Sequence, residues 1–123
     1  MPVVSVQSLP LEQDISVALP LLCESFSKAM DIDIHHVSVS WQFIQPGHYC
    51  VAGKCEAVHS PGFTLKVQLL TPNLYRLPAI ERMLCFLANE VSTLAGIEVA
   101  DVFVYHQEIA SGHVFDEGKI LHW

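Results

Sequence analysis

The sequence predicts an α+β fold built from two β-α-β-hairpin repeats, with two helices covering one face of a sheet. Three observations carry this expectation. Two long stretches show helical periodicity, alternating strand patterns flank each of them, and a Gly-His…Gly-Lys segment recurs 65 residues later. A chain of 123 residues is one ordinary domain (1–123), long enough to bury most of its apolar surface.

Taken in order, residues 3–8 form the first strand. Residues 11–30 form the first helix, with Ile15, Leu19, Leu22, Cys23, Phe26 and Met30 on one face. Pro20 falls inside it and should either kink the helix or mark its N-terminal turn. The second strand, 36–45, sets Val37, Val39, Trp41 and Phe43 against Ser38, Ser40 and Gln42. The third, 63–70, sets Phe63, Leu65, Val67 and Leu69 against Thr64, Lys66 and Gln68. The second helix, 77–94, repeats Ile80, Met83, Leu84, Leu87, Val91 and Leu94, and Gly96 stands where a terminating glycine belongs. A fourth strand covers 100–108.

A strand-helix-strand unit makes parallel strands, and parallel strands covered on both faces read as unbroken apolar runs. These strands alternate instead, so one sheet face meets helices while the other meets solvent or the semi-polar interior of an oligomer. Each second strand leads into a turn-rich hairpin. Pro46-Gly47-His48-Tyr49-Cys50-Val51-Ala52-Gly53-Lys54 ends one half, and Ser111-Gly112-His113-Val114-Phe115-Asp116-Glu117-Gly118-Lys119 ends the other. The chain therefore reads as pseudo-repeats 2–54 and 62–123 joined through 55–61, where Ser60-Pro61-Gly62 marks the break.

Thirteen acidic residues against six basic ones give a formal charge of −7, which excludes nucleic acid as a partner because phosphate neutralisation needs clustered Lys and Arg. No apolar run is long enough to span a bilayer, and no signal-peptide pattern precedes the first strand. The expected setting is cytoplasmic, away from membranes, with Cys23, Cys50, Cys55 and Cys85 as reduced thiols.

Pro2 is the residue with most chemical promise. Removal of Met1 would leave a secondary amine at the head of a strand, and an α-amino group titrates at about 7.7–8.0. Burial disfavours the ammonium form and lowers that value, giving a rigid base poised near neutrality.

Pro2 opening the first strand, the duplicated β-α-β order, and Val37-Ser38-Val39 leading into Gly47-His48-Tyr49 together resemble the tautomerase superfamily. The resemblance covers nearly the whole chain. It is greatest to the subgroup in which two 4-oxalocrotonate tautomerase-like units are fused, and extends to macrophage migration inhibitory factor-like and 5-carboxymethyl-2-hydroxymuconate isomerase-like members. It implies a four-stranded mixed sheet and a homotrimer with helices outside and strands forming an inner barrel. Sites would lie where subunits meet, with the N-terminal proline as base, acid or nucleophile. An unrelated ferredoxin-like domain would share the element order but not Pro2 or the paired Gly-His hairpins.

The family's second-strand arginine falls at Ser38 here, and at Phe103 in the second half. The first strand-helix loop, Leu9-Pro10-Leu11, also lacks the family's arginine. Arg76 in the second loop is then the anchor the resemblance implies for a substrate carboxylate, and Tyr49 the aromatic that keeps Pro2 desolvated. Asp116 or Glu117 would supply the carboxylate that a hydratase, dehalogenase or decarboxylase variant requires. His48 and His113 either relay protons or serve their turns, and Trp123 with Ile120-Leu121 docks on a neighbour or within its own subunit.

His48, Cys50, Cys55 and His59 do not have the tight cysteine pairing of a structural zinc site, so no metal is expected. No dinucleotide, phosphate-loop or serine-hydrolase motif points to a cofactor. The resulting expectation is a tautomerase or isomerase acting on a small enolisable keto acid through Pro2. The alternative is a non-catalytic trimeric binding or regulatory protein, which the missing arginines favour.

Overall fold

The structure, a computed structural model, describes residues 1–50, 53 and 65–123. The joint at 55–61, the remainder of the first hairpin, and Cys55 and His59 of the weighed zinc set lie outside the described residues.

β1 (Val3–Ser8) is followed by α1 (Ile15–Met30), a 3-10 turn (Ile34–His36) and β2 (Ser38–Phe43). The second half repeats this order as β3 (Leu65–Pro72), α2 (Leu77–Ala95), a 3-10 turn (Val99–Asp101) and β4 (Val102–Ile109). A short hairpin, β5 (Val114–Asp116) and β6 (Lys119–Leu121), completes the chain.

The sheet order is β2-β1-β3-β4, so the strand that opens each repeat lies in the centre. β1 pairs parallel with β2, and β3 with β4, as helical crossovers require. The central pair β1–β3 is antiparallel, with Val3 opposite Leu70 and Val6 opposite Val67. The sheet is mixed for this reason.

Alternation does the sorting. Val4, Val6, Leu65, Val67 and Leu69 project to one face and are buried against Leu22 and Phe26 of α1 and Met83, Leu87 and Val91 of α2. Successive strand residues point to opposite faces, so Ser5, Gln7, Ser38, Ser40, Gln42, Lys66, Gln68, Phe103, Tyr105 and Gln107 share the other one. No helix of the described residues covers that face. Side-chain amides bridge neighbouring strands there, Gln7 Nε2 to Gln42 Oε1 at 3.4 Å and Gln68 Nε2 to Gln107 Oε1 at 3.1 Å.

The helix ends have local causes. Asp14 caps α1, its Oδ1 accepting from Ser16 N at 3.0 Å, so the helix begins four residues later than the apolar pattern suggested. Pro20 lies beyond the first turn, on the solvent side, where its missing N–H costs one exposed backbone bond. In α2 the proline falls in the first turn, as Pro78, where no intrahelical donor is needed. Asp31 (φ 53°) and Gly96 (φ 67°) take the left-handed conformation that closes each helix, and the following residues, Ile32 and Ile97, donate back to Ser27 and Ser92.

Both Gly-His turns are present. His48 N donates to Gln45 O, and His113 N donates to Ala110 O, with Gly47 and Gly112 at positive φ in the third position. Cys50 is disulfide-bonded while Cys23 and Cys85 are free thiols, so the expectation of four reduced thiols holds only for the latter two among the described residues. No helix of the described residues is long and apolar enough to cross a membrane.

Candidate active site

Pro2 sits at the head of a central strand with its ring fully buried, because its register parity directs it to the helix-covered face with Val4 and Val6. Its carbonyl accepts from Ser38 N at 3.1 Å, which carries the β1–β2 ladder one residue past Val3. On the other side β1 runs antiparallel to β3, so the residue after Leu70 in register is Thr71, itself fully buried. Burial pushes the α-amino group of Met1 below its usual value, so the nitrogen end of this strand is already a desolvated place.

The antiparallel centre brings the start of one repeat to the finish of the other. β3 leaves the sheet at the end where Pro2 enters it. The loop that follows runs through Asn73, Leu74 and Tyr75 to Arg76, the last residue before α2. Tyr75 packs against the core while Arg76 stays exposed, its carbonyl accepting from Ala79 N and Ile80 N. Its guanidinium is therefore free of the helix cap, which has no side-chain hydrogen bond. Pro2, Ser38 and Arg76 thus share one end of the sheet.

Tyr49 and Phe103 belong to the other end. Phe103 is opposite Lys66, which is opposite Gln7, and the Gln45–His48 turn that precedes Tyr49 lies past Ser8 and Phe43. Five residue steps along β1, about 17 Å, separate the two ends. Within one chain Phe103 does not join Pro2. Phe103 instead stacks at a tilt on Tyr105, ring centroids 5.7 Å apart, on the uncovered face.

Asp116 and Glu117 form the turn between β5 and β6. The Asp116 carboxylate accepts from Glu117 N at 3.0 Å, and Glu117 and Gly118 both have positive φ, the geometry of a two-residue hairpin turn. Their local work is to close the hairpin.

Three polar pairs went unread in the sequence. Trp41 Nε1 donates to Ser8 Oγ at 2.9 Å. His106 Nε2 lies 2.7 Å from Thr71 Oγ1. Trp123 Nε1 donates to Asn73 Oδ1 at 2.7 Å, which seats the tail on its own subunit's loop. The first two were open to detection, because Trp41 and His106 are repeat equivalents and Ser8 and Thr71 both end an alternating strand. The third joins residues 50 apart with no shared pattern. No cluster of three or more His, Cys, Asp or Glu suited to a metal ion occurs among the described residues.

A duplicated β-α-β sheet with its two helices on one face is a fold this chain shares with solved structures. A structure described as the R7 fused 4-OT asymmetric trimer matches with TM-score 0.82 at 12% identity, over 96% of this chain and 94% of that one. Pt0534 inactivated by 2-oxo-3-pentynoate matches with TM-score 0.82 at 16% identity, over 97% and 94%. N1, a member of the cis-3-chloroacrylic acid dehalogenase family, matches with TM-score 0.79 at 17% identity, over 97% and 82%. No family model and no curated protein matches the chain by sequence.

Proposed function

We propose that this chain is a tautomerase or isomerase acting on a small enolisable keto acid, with Pro2 as general base once Met1 is removed. The observation that carries the reading is the buried Pro2 ring at the sheet end that also bears the Arg76 loop. A neutral secondary amine there takes the enol hydroxyl proton of the substrate and returns a proton to the adjacent carbon as the ketone forms. Burial favours the neutral amine at working pH, and Arg76 holds the substrate carboxylate. The inactivation of one similar structure by a 2-oxo acid fits this substrate class.

The same reading takes the protein as a homotrimer. The uncovered sheet face supplies a surface to bury, and a fused 4-OT of this fold is a trimer. Phe103, which lies across the sheet from Gln7 at the end away from Pro2, and Tyr49 would close the site of a neighbouring subunit instead. A non-catalytic trimer is the second reading, favoured by Ser38 standing uncharged beside Pro2. The dehalogenase-like variant finds less support, because Asp116 is engaged in its own turn.

The test begins with the intact mass of natively expressed protein, which should lack Met1. Enol-to-ketone conversion of phenylpyruvate is then compared between wild type and Pro2→Ala, with sedimentation reporting assembly. Retained methionine, or equal rates in the two proteins, removes Pro2 from the mechanism.

A further inference from the structure

Asn73 is fixed from two directions. Its backbone N–H donates to Ile109 O at 3.1 Å, tying the start of the Arg76 loop to the end of β4. Its side-chain oxygen accepts from Trp123 Nε1 at 2.7 Å, tying the same residue to the tail. The tail is itself anchored. Trp123 N donates to Ser111 Oγ at 2.9 Å, Gly112 N donates to Leu121 O at 2.9 Å, and the His122 ring lies over Gly112, 3.4 Å from where a Cβ would stand. Gly112 has φ +83°, so the backbone there favours glycine.

We propose that Trp123 is a positioning residue for Arg76. The indole N–H acts as a latch on Asn73, and the three-residue step from Asn73 to Arg76 carries that constraint to the guanidinium. At its far side the loop is held by Tyr75 in the core and by the first turn of α2. A loop pinned at both sides presents the guanidinium to a carboxylate with less ordering left to do on binding. This role rests on the assignment of Arg76 as the substrate anchor, yet the latch itself has a readout that needs no catalysis.

The experiment compares wild type, Trp123→Phe, Asn73→Leu and Asn73→Asp. Trp123→Phe keeps an aromatic ring and removes the donor, and Asn73→Leu tests the same bond from the acceptor side. Asn73→Asp keeps an acceptor oxygen. Backbone nitrogen-15 heteronuclear NOE values for residues 74–76 report loop order, and KM for phenylpyruvate is set against KM for its methyl ester, which has no carboxylate. Trp123→Phe and Asn73→Leu should lower the NOE values and raise KM for the acid about fivefold, the equivalent of one hydrogen bond, with the ester unchanged. Asn73→Asp should keep wild-type NOE values, because an acceptor oxygen remains. Unchanged NOE values overturn the latch, and lowered NOE values with an unchanged KM overturn its positioning role. If wild type does not convert phenylpyruvate, the proposed activity fails while the NOE values still decide the latch.

Discussion

The indole N–H of Trp41 donates to the buried hydroxyl of Ser8 at 2.9 Å, joining β2 to the last residue of β1. The second half makes the same junction with different chemistry. His106, 65 residues after Trp41, meets Thr71 at 2.7 Å. Each repeat places a hydroxyl near the end of its central strand, where it would be unsatisfied under the helices, and each edge strand sends a ring nitrogen to meet it. Ser8 Oγ also donates to Leu9 O at 2.8 Å, so the first hydroxyl uses both its capacities.

These junctions should be worth a typical buried hydrogen bond each. Trp41→Phe should lower unfolding stability by about 1–2 kcal/mol, part of it lost packing. The double-mutant cycle with Ser8→Ala should give a coupling of about 0.5–1.5 kcal/mol in urea denaturation at fixed protein concentration. Additive single effects would show that the bond contributes nothing.

Core and surface positions on α1 should separate sharply. Phe26 is fully buried among both helices and the sheet, and Phe26→Ala should cost about 3–5 kcal/mol. Val17 on the same helix is 63% exposed, and Val17→Ala should stay within about 0.5 kcal/mol. Thermal or urea unfolding of the two variants side by side measures the contrast.

Arg76 should act on binding rather than on proton transfer. Arg76→Ala should raise KM for phenylpyruvate by about 10- to 100-fold, the loss of a charge-assisted bond, with a smaller change in kcat. Arg76→Lys should recover only part, since an ammonium cannot match a carboxylate with two parallel donors. A kcat loss at constant KM would move Arg76 from substrate anchor to a different task.

The pH profile should follow the desolvation already visible at Met1. Burial lowers the Met1 amine pKa, and the same desolvation acting on a Pro2 amine would keep its neutral, proton-accepting form to lower pH than in a free peptide. For the processed protein, kcat/KM should therefore hold below pH ~8 and fall only on the acid side of the lowered pKa. Rate measurements between acid and alkaline buffers locate that limb, and a midpoint at or above ~8 would contradict the desolvated site.

The two free thiols should differ in reactivity. Burial, with Glu24 adding to it, pushes the Cys23 thiol up, and Cys23 Sγ donates to Val37 O at 3.6 Å. Cys85 is exposed on α2. Iodoacetamide should modify Cys85 first, with Cys23 following only at higher pH, as peptide mapping by mass spectrometry would show.

The faces of this fold were legible and its ends were not. Period-two alternation told which of Ser38, Val39 and Ser40 faces the helices, and the 65-residue spacing told that Gly47 and Gly112 do the same job. Neither says at which end of a strand a residue sits relative to a neighbour. That depends on the antiparallel β1–β3 pairing, a choice made between repeats rather than within either. So Pro2 and Arg76 could be grouped from sequence only through resemblance, and the separation of Phe103 from them was invisible. Asp14 was overlooked because Leu11 extends the apolar pattern past the cap.

The antiparallel centre also settles how many amines a fused chain can offer. It creates two comparable corners per molecule, one where Pro2 enters the sheet and one where Leu65 does, both buried on the helix side. Under the proposed removal of Met1 the first gains a free nitrogen, whereas the nitrogen of Leu65 stays within a peptide bond. Duplication within one chain therefore ends the equivalence that separate copies would enjoy. If Pro2 is the proposed base, one corner carries the chemistry and the other is released to change its side chains.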